Sequence, residues 1–197
     1  MMTAIRPLIL PVLAMTAIVV AANIGVQHPV TAFGLENHLT WGALVYPVSF
    51  LVTDLTNRRY GVGVARRLVA IGFVCAVALS IFLASPRIAL ASGAAFLAGQ
   101  LLDVTVFDRL RRLDWWRAPL VGSLVGSALD TALFFSLAFA GDAAMSAPAP
   151  LLGASAPLWV SLAFWDFVVK VVVALAALVP YGALLGIVRP VEAARAA

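Results

Sequence analysis

Six apolar stretches, separated by arginines or short polar runs, set the pattern of this chain. They cover roughly 8–26, 38–56, 65–84, 88–107, 119–140 and 158–188. A helix needs about 20 mostly apolar residues to cross a hydrocarbon core about 30 Å thick, and each stretch has that length. Strands of a membrane barrel would alternate apolar and polar positions, which these runs do not. The pattern therefore predicts an all-α integral membrane protein with six transmembrane helices. The last is long enough to tilt, or to break at Pro180. Pro47 interrupts the backbone ladder of the second. The stretch "GDAAMSAPAPLLGASAPLW", 141–159, reads as an external connection with little structure of its own. No second domain is visible, so 1–197 is read as one membrane domain.

Composition agrees. Hydrophobic residues make up 63% of the chain and charged residues 11%, against about 25% charged in a soluble domain. The formal charge of +4 does not indicate nucleic acid, because the arginines lie in short clusters between apolar runs. Arg6 precedes the first span. Arg58, Arg59, Arg66 and Arg67 lie between the second and third, and Arg109, Arg111, Arg112 and Arg117 between the fourth and fifth. Arg189 and Arg195 follow the sixth. The remaining connections hold only Arg87. Basic residues are retained on the cytoplasmic side, which predicts both termini inside. A cleavable signal peptide is the competing reading of the first stretch, but its removal would spoil the even number of spans.

Several chemistries lack their residues. One cysteine, Cys75, makes neither an intramolecular disulfide nor a cysteine metal site. The two histidines, His28 and His38, flank a polar connection and cannot build a three-ligand zinc site. There is no phosphate-binding glycine loop with its Lys-Ser/Thr. "ASGA", 91–94, resembles a serine protease motif only faintly, and no later span holds a histidine base.

The informative residues are polar ones inside apolar runs. A charge at the bilayer centre costs at least about 2.5–3.5 kcal/mol. At about 1.5 Å per residue, Asp54 and Asp103 fall near the cytoplasmic ends of their spans. Gln100, Asp130 and Lys170 fall near the middle, and Asn23, Trp41 and Asp166 in the outer half. For Asp54 and Asp103, pairing with Arg58 and Arg109 is the leading reading, since a carboxylate at a helix C-terminus opposes the dipole. Asp54-Leu-Thr56 and Asp103-Val-Thr105 also echo one another, hinting at an internal repeat. Asp166 and Lys170 share a helix face at i, i+4 and can neutralise each other. Asp130 has only Ser127 and Ser123 on its own face, so it must meet a partner helix, a cavity or a ligand. "GSLVGS", 122–127, carries small residues at the spacing that lets helices approach closely.

Three longer regions add a resemblance. "TWGALVYPVSFLVTDLTNRRYGVGVARR" (40–67), "FLAGQLLDVTVFDRLRRLDWWRAPLVGSLVGSALDTALFF" (96–135) and "WDFVVKVVVALAALVPYGALL" (165–185) resemble, in order, the signature regions of the queuosine-precursor transporters. These form part of the vitamin uptake transporter group. The resemblance implies a six-helix importer in the inner membrane, similar in fold to the substrate-binding components of energy-coupling-factor transporters. The implied substrates are 7-cyano-7-deazaguanine and 7-aminomethyl-7-deazaguanine, salvaged for tRNA queuosine. One position departs from the usual pattern. Trp165-Asp166-Phe167 keeps the aromatic after the aspartate, and Ala128 stands where a polar residue often precedes Asp130-Thr131.

Such a ligand suits the inventory. Paired N–H donors of a guanine-like ring need a carboxylate such as Asp130. Its carbonyl needs a donor such as Gln100 or Asn23, and its flat face an aromatic such as Trp41 or Trp165. Asp166 either meets an aminomethyl cation or holds Lys170. Asp54, Asp103, Arg58 and Arg109 are expected to form a network that closes the cytoplasmic side or couples transport to protons. The expected partners are a deazapurine and the lipid bilayer, with homodimerisation left open. No nucleic acid, dedicated ATPase, metal or cofactor is expected. The alternative function is a structural or assembly subunit with buried ion pairs and no small-molecule substrate.

Overall fold

The computed structural model describes residues 8–26, 28, 30–32, 39–83 and 85–191. Arg6, His38 and Arg195 lie outside them. The helices are α1 (Ile9–Gly25), α2 (Trp41–Val45), α3 (Val48–Tyr60), α4 (Val62–Leu83), α5 (Pro86–Leu110), α6 (Arg117–Phe139) and α7 (Leu158–Leu184). Strands β1 (Pro148–Leu151) and β2 (Ala154–Pro157) precede α7. Among the described residues, α4 to α7 are long and apolar enough to cross a membrane, and α1 is a shorter apolar helix of 17 residues.

The second predicted span is divided. Pro47 has no N–H to give the ladder, so α2 stops at Val45. A new ladder starts with Ser49 N–H on Tyr46 O and Phe50 N–H on Pro47 O. The same constraint does not divide α7, which continues through Pro180. Other boundaries follow local chemistry. Ser85 caps α5, its hydroxyl accepting from Ile88 N–H, with Pro86 at the first helical position. Gly61, at φ +85°, ends α3 in a conformation that favours glycine and lets α4 turn back at once. Connections this short make neighbouring helices antiparallel. One end of the bundle therefore gathers Arg58, Arg59 and Arg109 to Arg117, and the other carries the β-hairpin.

That hairpin corrects the reading of 141–159 as unstructured. Pro148 pairs with Pro157 and Leu151 with Ala154, around a two-residue turn in which Leu152 and Gly153 both have positive φ. Four-residue strands carrying three prolines are too short to show strand alternation, so composition pointed to a loop. Ser161 on α7 ties the hairpin down by donating to Pro150 O at 3.1 Å.

An apolar core joins Met15 and Val19 of α1, Leu68 and Val69 of α4, and Phe96 and Val104 of α5. The closest helix pair is α5 with α6. A Cβ at Gly126 would lie 2.7 Å from Gly99 O, and one at Gly99 would lie 2.9 Å from Gly126 O. The predicted packing role of "GSLVGS" is thereby seen in contact. Because the obstacle is backbone, Gly126→Val is expected to lower stability by about 1–3 kcal/mol. Thermal unfolding of the purified protein checks this, with Gly63→Ala, where a Cβ meets nothing within 4 Å, as the neutral control.

Candidate functional site

Two helices and one helix break build a buried charge cluster. Lys170 on α7 donates from Nζ to Asp130 Oδ2 at 2.6 Å and to Thr131 Oγ1 at 2.9 Å. The same Nζ lies 2.6 Å from Asp166 Oδ2, one turn back on α7. Thr131 donates to Asp166 at 2.6 Å, and Tyr46 Oη donates to Asp130 Oδ1 at 2.7 Å. Lys170 also sits 5.5 Å from the centre of the Tyr46 ring, within cation–π range. Lys170 and Asp130 are each only 4% exposed. Burial of this kind is tolerated when every charge is both paired and hydrogen-bonded.

The cluster forms the floor of a cavity of about 630 Å³. Asp130, Asp166, Lys170 and Tyr46 line its deep part, and Phe134 and Phe135 add aromatic wall. The lining continues to Val26, Ser85 and Phe139, at the helix ends beside the hairpin. Mostly apolar walls with a few convergent polar groups are the ordinary form of a small-molecule site.

The predicted residues separate clearly. Asp130, Asp166 and Lys170 come together. Asp130 does have a counter-charge, but it arrives from α7, which spacing within α6 cannot reveal. Lys170 is not simply neutralised by Asp166, because it bridges two carboxylates. Gln100 is fully buried elsewhere, accepting from Thr53 at 2.7 Å and donating to Ser49 at 2.8 Å. Asn23 turns back to Val19 O on its own helix, and Trp41 is 52% exposed. None of these three lines the cavity. Helix rotation turns them away from it. Tyr46 and Thr131 were missed. Tyr46 had one signal, its place immediately before Pro47 at a break in the span.

The second polar layer lies toward the arginine end. Asn57 donates to Val104 O at 3.0 Å, and Arg111 donates to Asn57 Oδ1 at 2.6 Å. Asp54 is 1% exposed and Asp103 0%. The expected pairing with arginine is not what holds them. Arg58 donates its Nε–H to Val188 O at 3.0 Å, and Arg109 is exposed. Rotation again decides: four and six residues along a helix did not bring these guanidiniums onto the carboxylates. Asp54 instead confronts Asp103 across the α3–α5 interface. The sequence echo thus becomes a spatial pair. Thr56 and Thr105 repeat the likeness, each donating to its own helix four residues back at 2.7 Å.

Fold and site together define a helical membrane protein with a ligand-sized cavity ending in buried charges. The chain belongs to the vitamin uptake transporters: the family model described as "Putative vitamin uptake transporter" matches residues 40–184. The "Queuosine precursor transporter" of Escherichia coli (strain K12) is 35% identical over 192 residues, covering 85% of this chain and 81% of that protein. The "Probable queuosine precursor transporter" of Haemophilus influenzae is 36% identical over 203 residues, covering 87% and 83%. No solved structure matches the chain.

Proposed function

We propose that this protein imports queuosine precursors, 7-cyano-7-deazaguanine and 7-aminomethyl-7-deazaguanine, across the inner membrane. It is a transporter and not an enzyme. The observation that carries the reading is the cavity of about 630 Å³ floored by Asp130, Lys170 and Asp166, in a chain similar to transporters of queuosine precursors. Cavities of about 300–1,000 Å³ suit small organic ligands.

In this reading the chain crosses the membrane six times, with α2 and α3 sharing one crossing and both termini in the cytoplasm. The cavity mouth then faces outward. Asn57, Arg111, Arg58 and the Phe107–Ala118–Tyr181 cluster close the cytoplasmic side. Transport requires this closure to open after the mouth has shut. Asp130 accepts ring N–H groups, and Phe134 or Phe135 covers the ring face. Lys170 holds Asp130 in place and supplies a donor.

The cluster has two carboxylates around one ammonium, which favours a cationic ligand. Purified protein is expected to bind the aminomethyl form more tightly than the nitrile, and guanine least. Asp166→Asn is expected to narrow the gap between the two precursors. Calorimetric titration checks both statements. Equal binding of guanine and the precursors would exclude the substrate class, and no saturable binding would favour the assembly-subunit reading.

A further inference from the structure

The carboxyls of Asp54 and Asp103 meet where the protein offers them almost nothing to bind. Both oxygens of Asp103 and Oδ1 of Asp54 are buried and accept no hydrogen bond among the described residues. Asp54 Oδ2 has one long bond, from Ser123 Oγ at 3.4 Å. Register holds the pair together. Thr53 binds Gln100, and Asn57 binds Val104 O, so the residues flanking Asp54 clamp α3 against the stretch of α5 that carries Asp103. Two ionised carboxylates have no donor to offer each other.

A second observation marks the same place. Tyr181 on α7 is 1% exposed, and its hydroxyl, with Arg58 beside it, has no well-formed hydrogen bond. It lines, with Asp54, Ser123 and Leu51, a cavity of about 10 Å³, near the least that one water requires. Asp54 and Tyr181 thus line one small space, and Asp103 adjoins Asp54. What the two carboxyls lack is a donor small enough to fit between them. Among the described residues no third His, Cys, Asp or Glu joins the two carboxyls to make a metal ligand set.

We propose that Asp54 and Asp103 form a proton-binding site, holding one proton between them as O–H···O, and that its loss and return accompany opening of the cytoplasmic closure. The other groups facing the site are Ser123 from α6 and Tyr181 from α7. Arg58, one turn along α3, and Arg111, at the end of α5, both act on Tyr181. On protonation one carboxylate oxygen gains an O–H bond and the other carboxylate accepts it. On release the proton leaves to water, and two anions remain face to face on α3 and α5. Their repulsion pushes apart the helices that Asn57 and Arg111 hold closed.

Two measurements test this. Infrared difference spectra of the purified protein, titrated with acid and base, read the site without any substrate. A carboxylic-acid C=O band should persist at neutral pH in the wild type and disappear in Asp54→Asn/Asp103→Asn. Its absence from the wild type, or its survival in the double variant, overturns the proposal. The second arm rests on the importer reading and uses 7-aminomethyl-7-deazaguanine in proteoliposomes. One proton per substrate gives about tenfold accumulation for a gradient of about one pH unit. Asp103→Asn, or Asp54→Asn if the first does not fold, should equilibrate the substrate without accumulating it. Accumulation driven by sodium instead of protons, or unchanged in a folded variant, overturns the coupling. Failure of all uptake with the band present counts against the substrate reading and leaves the proton site standing.

Discussion

Lys170→Met is expected to destabilise the protein by about 3–5 kcal/mol, the usual cost of stranding buried charge, and to abolish precursor binding. The physical reason is the position of the ammonium. It contacts Asp130 and Asp166 at 2.6 Å each and Thr131 at 2.9 Å. Methionine fills much of the same volume but leaves two carboxylates facing each other with no cation between them. Thermal unfolding in detergent, alongside ligand titration, measures both effects. Stability and function are separable in a triple variant. Adding Asp130→Asn and Asp166→Asn removes the stranded charges and should restore most of the lost stability, while binding stays absent. A Lys170→Met protein as stable as the wild type would show that the three groups do not act as one charge cluster.

The same cluster shows what could be read in the sequence and what could not. Charges inside apolar runs were visible, because lipid leaves them no solvent partner. That singled out Asp130, Asp166 and Lys170, and depth along each helix placed Asp54 with Asp103. The side of the helix toward which a residue turns was not visible. Rotation depends on packing between helices, and an all-apolar run carries no periodic stripe to fix it. Gln100 and Trp41 were at plausible depths, yet one is buried against Ser49 and Thr53 and the other faces outward. Arg58 was near Asp54 in sequence and reached Val188 O instead. The fold was more legible than the site. Apolar length located α4 to α7, and Pro47 marked the divided span. The hairpin escaped because its short strands are proline-rich and its turn residue Leu152 adopts positive φ, which non-glycine residues rarely do.

Asp130→Ala should weaken precursor binding by at least about 30-fold, since losing one member of a buried hydrogen-bonded charge pair costs about 2 kcal/mol or more. Two partners lose their anchor at once. Tyr46 Oη has no acceptor in place of Oδ1, and Lys170 keeps only Asp166 and Thr131. The ligand also loses the carboxylate proposed to take its ring N–H groups. Gln100→Leu provides the contrast. Gln100 is fully buried, so its loss strands the Ser49 hydroxyl, leaves Thr53 only Ser49 O to bond, and should cost about 1–3 kcal/mol of stability. It does not line the cavity, so affinity measured on the folded fraction should hold. Trp41→Ala, at an exposed position, should change neither quantity. Titration and thermal unfolding on all three variants therefore give three different patterns. If Gln100→Leu lost affinity as Asp130→Ala does, the ligand would have to sit deeper, toward Asp54 and Asp103, and the cavity floor at Lys170 would be a gate rather than the binding surface.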